Sequence, residues 1–173
     1  MADVQEKQRN EYTNMKLRTL TLTAIIAALC AVGSMIKVPV GISSAALDSA
    51  PAFLGAVFLP PVAAGAAAAI GHLVSAMTGG FALGPLHFLI AAEMFLVLWG
   101  FAKLHHAGRT YSKWIFAIIA NGILSPLPFY WIISPAFFFS AVPGIFIATV
   151  LNITIAAIGM PVLSRAFQRK EAH

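Results

Sequence analysis

Six side chains able to do chemistry, Asp48, His72, His87, Glu93, Asn121 and Asn152, fall within or beside long apolar runs of this 173-residue sequence. An ionisable group in hydrocarbon is costly unless it faces a cavity or a partner, so these residues are the first place to look for function. His72, His87 and Glu93 carry atoms suited to a metal, but there is neither HExxH spacing nor a second ligand cluster. Hydrolysis asks for a serine or paired carboxylates placed with a base. His87 and Glu93 stand six residues apart, about 240° around a helix and so not on one face. No catalytic residue, metal ligand set or cofactor is assigned, and recognition of a small organic molecule is the chemistry that remains. The polar atoms are accompanied by Phe81, Phe129, Tyr130, Trp131 and Phe137 to Phe139, and rings with a few hydrogen-bonding groups suit a heterocycle or nucleoside. The candidate ligand contacts are Asp48, His72, His87, Glu93, Asn121, Tyr130, Trp131 and Phe137. Plainer roles stand beside these: Asn121 or Asn152 bonding a neighbouring helix backbone, His72 bonding Ser75 or Glu93, Asp48 capping a helix, phenylalanines facing lipid.

The elements that must position these groups are membrane helices. The chain is 60% hydrophobic and 10% charged, with mean hydropathy +0.86, too little polar surface to clothe a water-soluble globule. Ten of the eleven lysines and arginines cluster in three places: Lys7 to Arg18, Lys103 to Lys113, and Arg165 to Lys170. Basic residues in short loops are held on the cytoplasmic side, so the three clusters share one face of the bilayer and an even number of crossings separates each pair. In this setting the net charge of +5 orients the chain and meets anionic lipid headgroups, with no need for a nucleic acid partner. The sole cysteine, Cys30, has no intrachain disulfide partner.

These signals predict an all-α integral membrane protein of six transmembrane helices with both termini cytoplasmic. Residues 1–16 form a cytoplasmic polar leader, 17–166 the membrane domain and 167–173 a cytoplasmic tail. Leu17 to Ile36 is a retained first span of twenty residues, enough for the roughly 30 Å of hydrocarbon. Val38 to Asp48 is an apolar outer segment. Ser49 to about Leu59 and Val62 to Met77 are two short spans that turn at Pro60-Pro61, a pair that could instead form a re-entrant hairpin. Thr78-Gly79-Gly80 marks an outer turn, Pro85 opens the span ending near Lys103, Trp114 to Tyr130 returns outward, and Pro143 opens the last span.

The first span carries Ala24, Ala27, Ala28 and Ala31, two overlapping alanine pairs at four-residue spacing. Small residues so spaced let another helix approach closely, either one of this chain's own or a partner's. There is no GxxxxGK[ST] phosphate loop, so ATP-driven uptake would draw its energy from another subunit.

With these features together the chain resembles the substrate-binding S components of energy-coupling factor (ECF) vitamin transporters, over essentially its whole length. The AxxxA pattern of that family is matched by Ala24 and Ala28, or in the next register by Ala27 and Ala31. The resemblance implies that these alanines dock on the transmembrane T component, to which two ATPase subunits bind. It also implies capture of a vitamin or precursor from outside and toppling of the whole body to release it. Within the family, Ile42 to Pro51, Gly84 to Glu93 and Asn121 to Phe129 resemble the S component proposed to import α-ribazole, a nucleoside precursor in cobalamin salvage. The cobalt and nickel branch begins its ligand set at a histidine directly after the initiator methionine, whereas this chain reads Met1-Ala2-Asp3. The implied setting is a bacterial plasma membrane. A stand-alone secondary carrier or small channel is the alternative, followed by an intramembrane hydrolase or metalloprotein.

Overall fold

Among the described residues, five helices are long and apolar enough to cross a bilayer: Asp3–Gly33, Pro61–Thr78, Leu86–His106, Ser112–Ile132 and Pro135–Arg165. The computed structural model describes residues 1–40 and 43–171. In chain order the elements are α1 (Ala2–Gly33), a hairpin of β1 (Lys37–Val40) and β2 (Ser43–Ala46), α2 (Ala50–Gly55), α3 (Pro61–Thr78) and α4 (Leu86–His106). There follow α5 (Ser112–Ile119), a widened π-helical turn over Ala120–Leu124, α6 (Phe129–Ile132) and α7 (Pro135–Glu171). The hairpin is antiparallel, with Lys37 opposite Ala46, and forms where the sequence suggested only an apolar outer segment.

The segment expected as the second span is much shorter than a full crossing. Helix α2 covers Ala50–Gly55, turns continue to Leu59, and Pro61 opens α3, where its missing N–H costs nothing. Its far end still reaches the basic end of the bundle. His106 Nε2 lies 3.0 Å from the Leu59 carbonyl oxygen, and Pro60 shares a groove with Tyr12 and Lys16 of α1. At that same end Lys113 Nζ lies 2.9 Å from His105 Nδ1 and 3.3 Å from Met160 Sδ, drawing α4, α5 and α7 together.

Other boundaries also move. Helix α1 begins at Ala2, so residues expected as a polar leader continue the first helix toward its N-terminus. Helix α7 begins at Pro135, and Pro143, expected to open the span, lies inside it with Pro161. Ser134 supplies the start signal: its Oγ accepts the Phe137 N–H at 3.1 Å, the bond of an N-cap to the third helical residue, and Pro135 occupies the first position. Membrane helices tolerate interior prolines because neighbouring groups can satisfy the freed carbonyls.

The core forms where α3 presents small residues to α1 and α4. Ala64, Gly65, Ala67, Ala68 and Gly71 are buried. A Cβ added at Gly71 would stand 2.5 Å from Cys30 Cβ, and one at Gly65 would stand 2.8 Å from the Phe95 carbonyl oxygen. Without a hydrophobic drive between helices in lipid, such close approach is what dispersion has to work with. Phe53 and Phe101 fill the centre, edge to face with centroids 4.9 Å apart. The alanines of α1 divide between two faces: Ala27 is buried, Ala31 is half-buried, and Ala24 and Ala28 are exposed.

Candidate functional site

A cavity of about 260 Å³ lies between α3, α4, the π-helical turn, α7 and the junction after the hairpin. Of the eight candidate contacts in the sequence, Asp48, His72, Glu93 and Asn121 line it. Residues from four separate stretches of chain thereby face one space.

Asn152 builds the wall that carries Asp48. Its Oδ1 accepts the N–H groups of Ser49 at 3.2 Å and Ala50 at 2.8 Å, and its Nδ2 donates to the carbonyls of Ala46 and Ala148, each at 2.8 Å. A buried amide with both ends engaged thus ties the start of α2, and with it the end of the hairpin, to α7. The end of α1 fits closely against the same junction, since a Cβ at Gly33 would run into the Leu47 carbonyl. Burial pushes the Asp48 carboxyl up to about 6, and hydrogen bonds from the N–H groups of Asp48 and Ser49 offset part of that rise.

Asn121 sits in the π-helical turn, and the local sequence explains the turn. Pro126 has no N–H to continue the helical ladder, and the Ser125 N–H reaches back five residues to the Ala120 carbonyl at 2.8 Å. The widened turn aims Asn121 at α7, where its Nδ2 donates to the buried Thr149 Oγ1 at 2.9 Å. Gly122 lets α7 come close, for a Cβ there would lie 3.0 Å from the Phe146 ring.

His72 meets His87 across the start of α4, with Nε2 to Nδ1 at 3.2 Å. The Leu83 N–H donates to His87 Nε2 at 3.3 Å, so a neutral His87 carries its proton on Nδ1 and donates it to His72. Phe81, with φ 52, stacks on the His87 ring at a centroid distance of 4.9 Å. His87 therefore stands behind His72 and holds it without lining the cavity.

Glu93 differs from the other polar groups. Its Oε2 is buried and has no hydrogen-bond partner within the described residues. Glu93 and Ser125 also border a second hollow of about 230 Å³ between α4 and α5, so the carboxylate stands where the two spaces adjoin.

The aromatic expectations shift by one or two residues. Tyr130, Trp131 and Phe137 do not line the cavity, whereas Phe129 does and is buried. Helix α6 is a single turn, so turning Phe129 inward turns its successors outward: Trp131 is 72% exposed, and Tyr130 packs on Phe138 at 5.6 Å between centroids. Phe137 packs on Phe129 from outside at 6.3 Å. Ile145, Ala148 and Thr149 complete one wall with Asn152. They are its partners at helical spacing, so periodicity counted back from Asn152 would have found them. Among the described residues no group of three or more His, Cys, Asp or Glu side chains could hold a metal ion.

The substrate-specific component family of ECF transporters matches residues 18–167. No curated protein and no solved structure matches the chain. A match over most of the sequence, on a multi-pass helical body whose largely apolar cavity carries a few polar side chains, places this chain in the ECF transporter substrate-specific component family, the membrane subunits that bind the transported solute.

Proposed function

We propose that the cavity between α3, α4 and α7 captures a small vitamin precursor, best fitted by α-ribazole, from outside a bacterial plasma membrane. Delivery then passes through a T component and two ATPase subunits. The single observation that carries this reading is the convergence of Asp48, His72, Glu93 and Asn121 with Phe129 on one cavity of about 260 Å³. That volume falls just below the roughly 300–1,000 Å³ usual for small-molecule sites, which favours a compact ligand. A buried ring for stacking, with carboxylates and amides to receive ribose hydroxyls, suits a neutral aromatic nucleoside. Tyr130, Trp131 and Phe137 belong in this proposal to the mouth of the site, and His87 to the support of His72.

Six crossings with both termini cytoplasmic accommodate the three basic clusters, with residues 49–59 as a short descending limb to the end where Leu59 meets His106. The exposed pair Ala24 and Ala28 is the T-component face, while Ala27 and Ala31 serve internal packing. Calorimetry of the purified chain with α-ribazole, followed by uptake measured with and without the T component and ATPases, tests the whole. Binding together with ATPase-dependent uptake is the expected result. Uptake driven by an ion gradient with this chain alone would overturn it in favour of a secondary carrier.

A further inference from the structure

The cavity wall holds two carboxylates and no basic counter-charge. Asp48 and Glu93 line it, His72 is the third ionisable group there, and no lysine or arginine is among the lining residues. Lys37 lies opposite Ala46 in the hairpin, but its side chain is exposed and does not line the cavity. Lys113, the buried lysine, is engaged with His105 and Met160 at the other end of the bundle. Most of the other polar side chains in the wall are engaged within the protein. Asn152 is tied to backbone at both ends of its amide, the Asn121 amide nitrogen donates to Thr149, and His72 is bonded to His87. Against that background the buried, unpartnered Glu93 Oε2 is an acceptor waiting for a donor. An acceptor left this way inside a protein is costly, and a ligand N–H or O–H reaching it would form a charge-assisted bond.

We infer that this site selects by charge: it takes a neutral or cationic ligand that presents an N–H or O–H to Glu93, and it rejects anions. Glu93 is thereby the specificity-determining residue, while the aromatic and amide walls set shape. The inference rests on the cavity being the ligand site, and it adds a rule about which ligands enter. A carboxylate or phosphate on the ligand would face Asp48 and Glu93 with no cation to offset them, and like charges placed together in a desolvated site are strongly unfavourable.

The test uses matched probes that share a ring and differ in charge: α-ribazole with α-ribazole 5′-phosphate, and nicotinamide riboside with its 5′-phosphate. Each is titrated calorimetrically into the purified full-length protein. The expected result is binding by at least one unphosphorylated member, with its phosphate weaker by about 100-fold or more. Glu93→Gln should weaken the preferred ligand by about 10-fold and narrow the gap to the phosphate, because the new amide can donate to an anion. The ligand-free Glu93→Gln protein should melt no lower than the parent, since an unpartnered buried charge has been removed. A purely structural role for Glu93 would instead lower that melting temperature. A phosphate bound as tightly as its parent compound overturns the charge rule and leaves the transporter-subunit reading intact. Silence from all four probes overturns the cavity as the ligand site, and the charge rule with it.

Discussion

Replacing Asn152 with alanine should loosen the wall that carries Asp48, and the size of the effect follows from its bonds. The Ala50 N–H and the Ala46 carbonyl lose partners held at 2.8 Å, while the Ser49 N–H, bonded to Asn152 at 3.2 Å, keeps the Asp48 carboxylate. Buried groups stripped of a partner cost about 1–3 kcal/mol each, but membrane proteins fall at the low end because freed groups find substitutes. Two groups at the low end, with a small void where an almost fully buried side chain stood, give about 2–4 kcal/mol. For a chain of this size that corresponds to a melting temperature lower by roughly 5–10 °C. Asn152→Leu refills the volume without restoring the bonds, so it should recover only the void's share. Thermal unfolding in detergent with calorimetry on the same samples provides the assay, and ligand affinity should fall by about 10-fold in both variants as the junction after the hairpin loosens. Parent-like melting and affinity in Asn152→Ala would refute the reasoning, and full recovery in Asn152→Leu would assign the effect to packing alone.

Ala28→Trp should block assembly with the T component while leaving ligand binding and melting unchanged, whereas Ala27→Trp should lower the melting temperature itself because Ala27 is 5% exposed. Co-purification and thermal unfolding of both variants separate the two faces of α1. Gly71→Ala places a methyl 2.5 Å from Cys30 Cβ and should destabilise the α1–α3 contact by about 1–3 kcal/mol, read by thermal unfolding. The Asp48 carboxyl, raised from 3.8 to about 6, makes opposite predictions for the empty and loaded protein. The folded state binds the extra proton between those values, so this residue's contribution to ligand-free stability falls as pH rises through the window. Affinity for a ligand that donates to the ionised carboxylate should instead fall as pH drops from 7 through 6. Glu93 and His72 share the cavity, so the Asp48 share is the difference between the parent and Asp48→Asn titrations, and identical pH profiles would remove Asp48 from ligand contact.

Much of this protein was legible in the sequence because a bilayer imposes one strong rule, that backbone polar groups be satisfied within helices. The apolar runs gave the membrane body, and the scarcity of polar groups within them gave a shortlist of Asp48, His72, His87, Glu93, Asn121 and Asn152, all of which except His87 line the cavity. The basic clusters foretold a common end, where Leu59 meets His106 and Lys113 meets His105 and Met160. Tertiary structure decided matters of facing and register that no periodicity carries. A single turn at α6 selected Phe129 over Tyr130 and Trp131, because the direction of a one-turn helix depends on the turn before it. Packing of α1 on α3 separated Ala27 from Ala28, residues equivalent in sequence and opposite in exposure. Ser134, by capping α7, carried that helix back past Pro143. Only the folded chain made Asn152 a bolt and left the Glu93 oxygen without a partner, since a hydrogen bond between residues a hundred positions apart, or its absence, exists only once the helices have met.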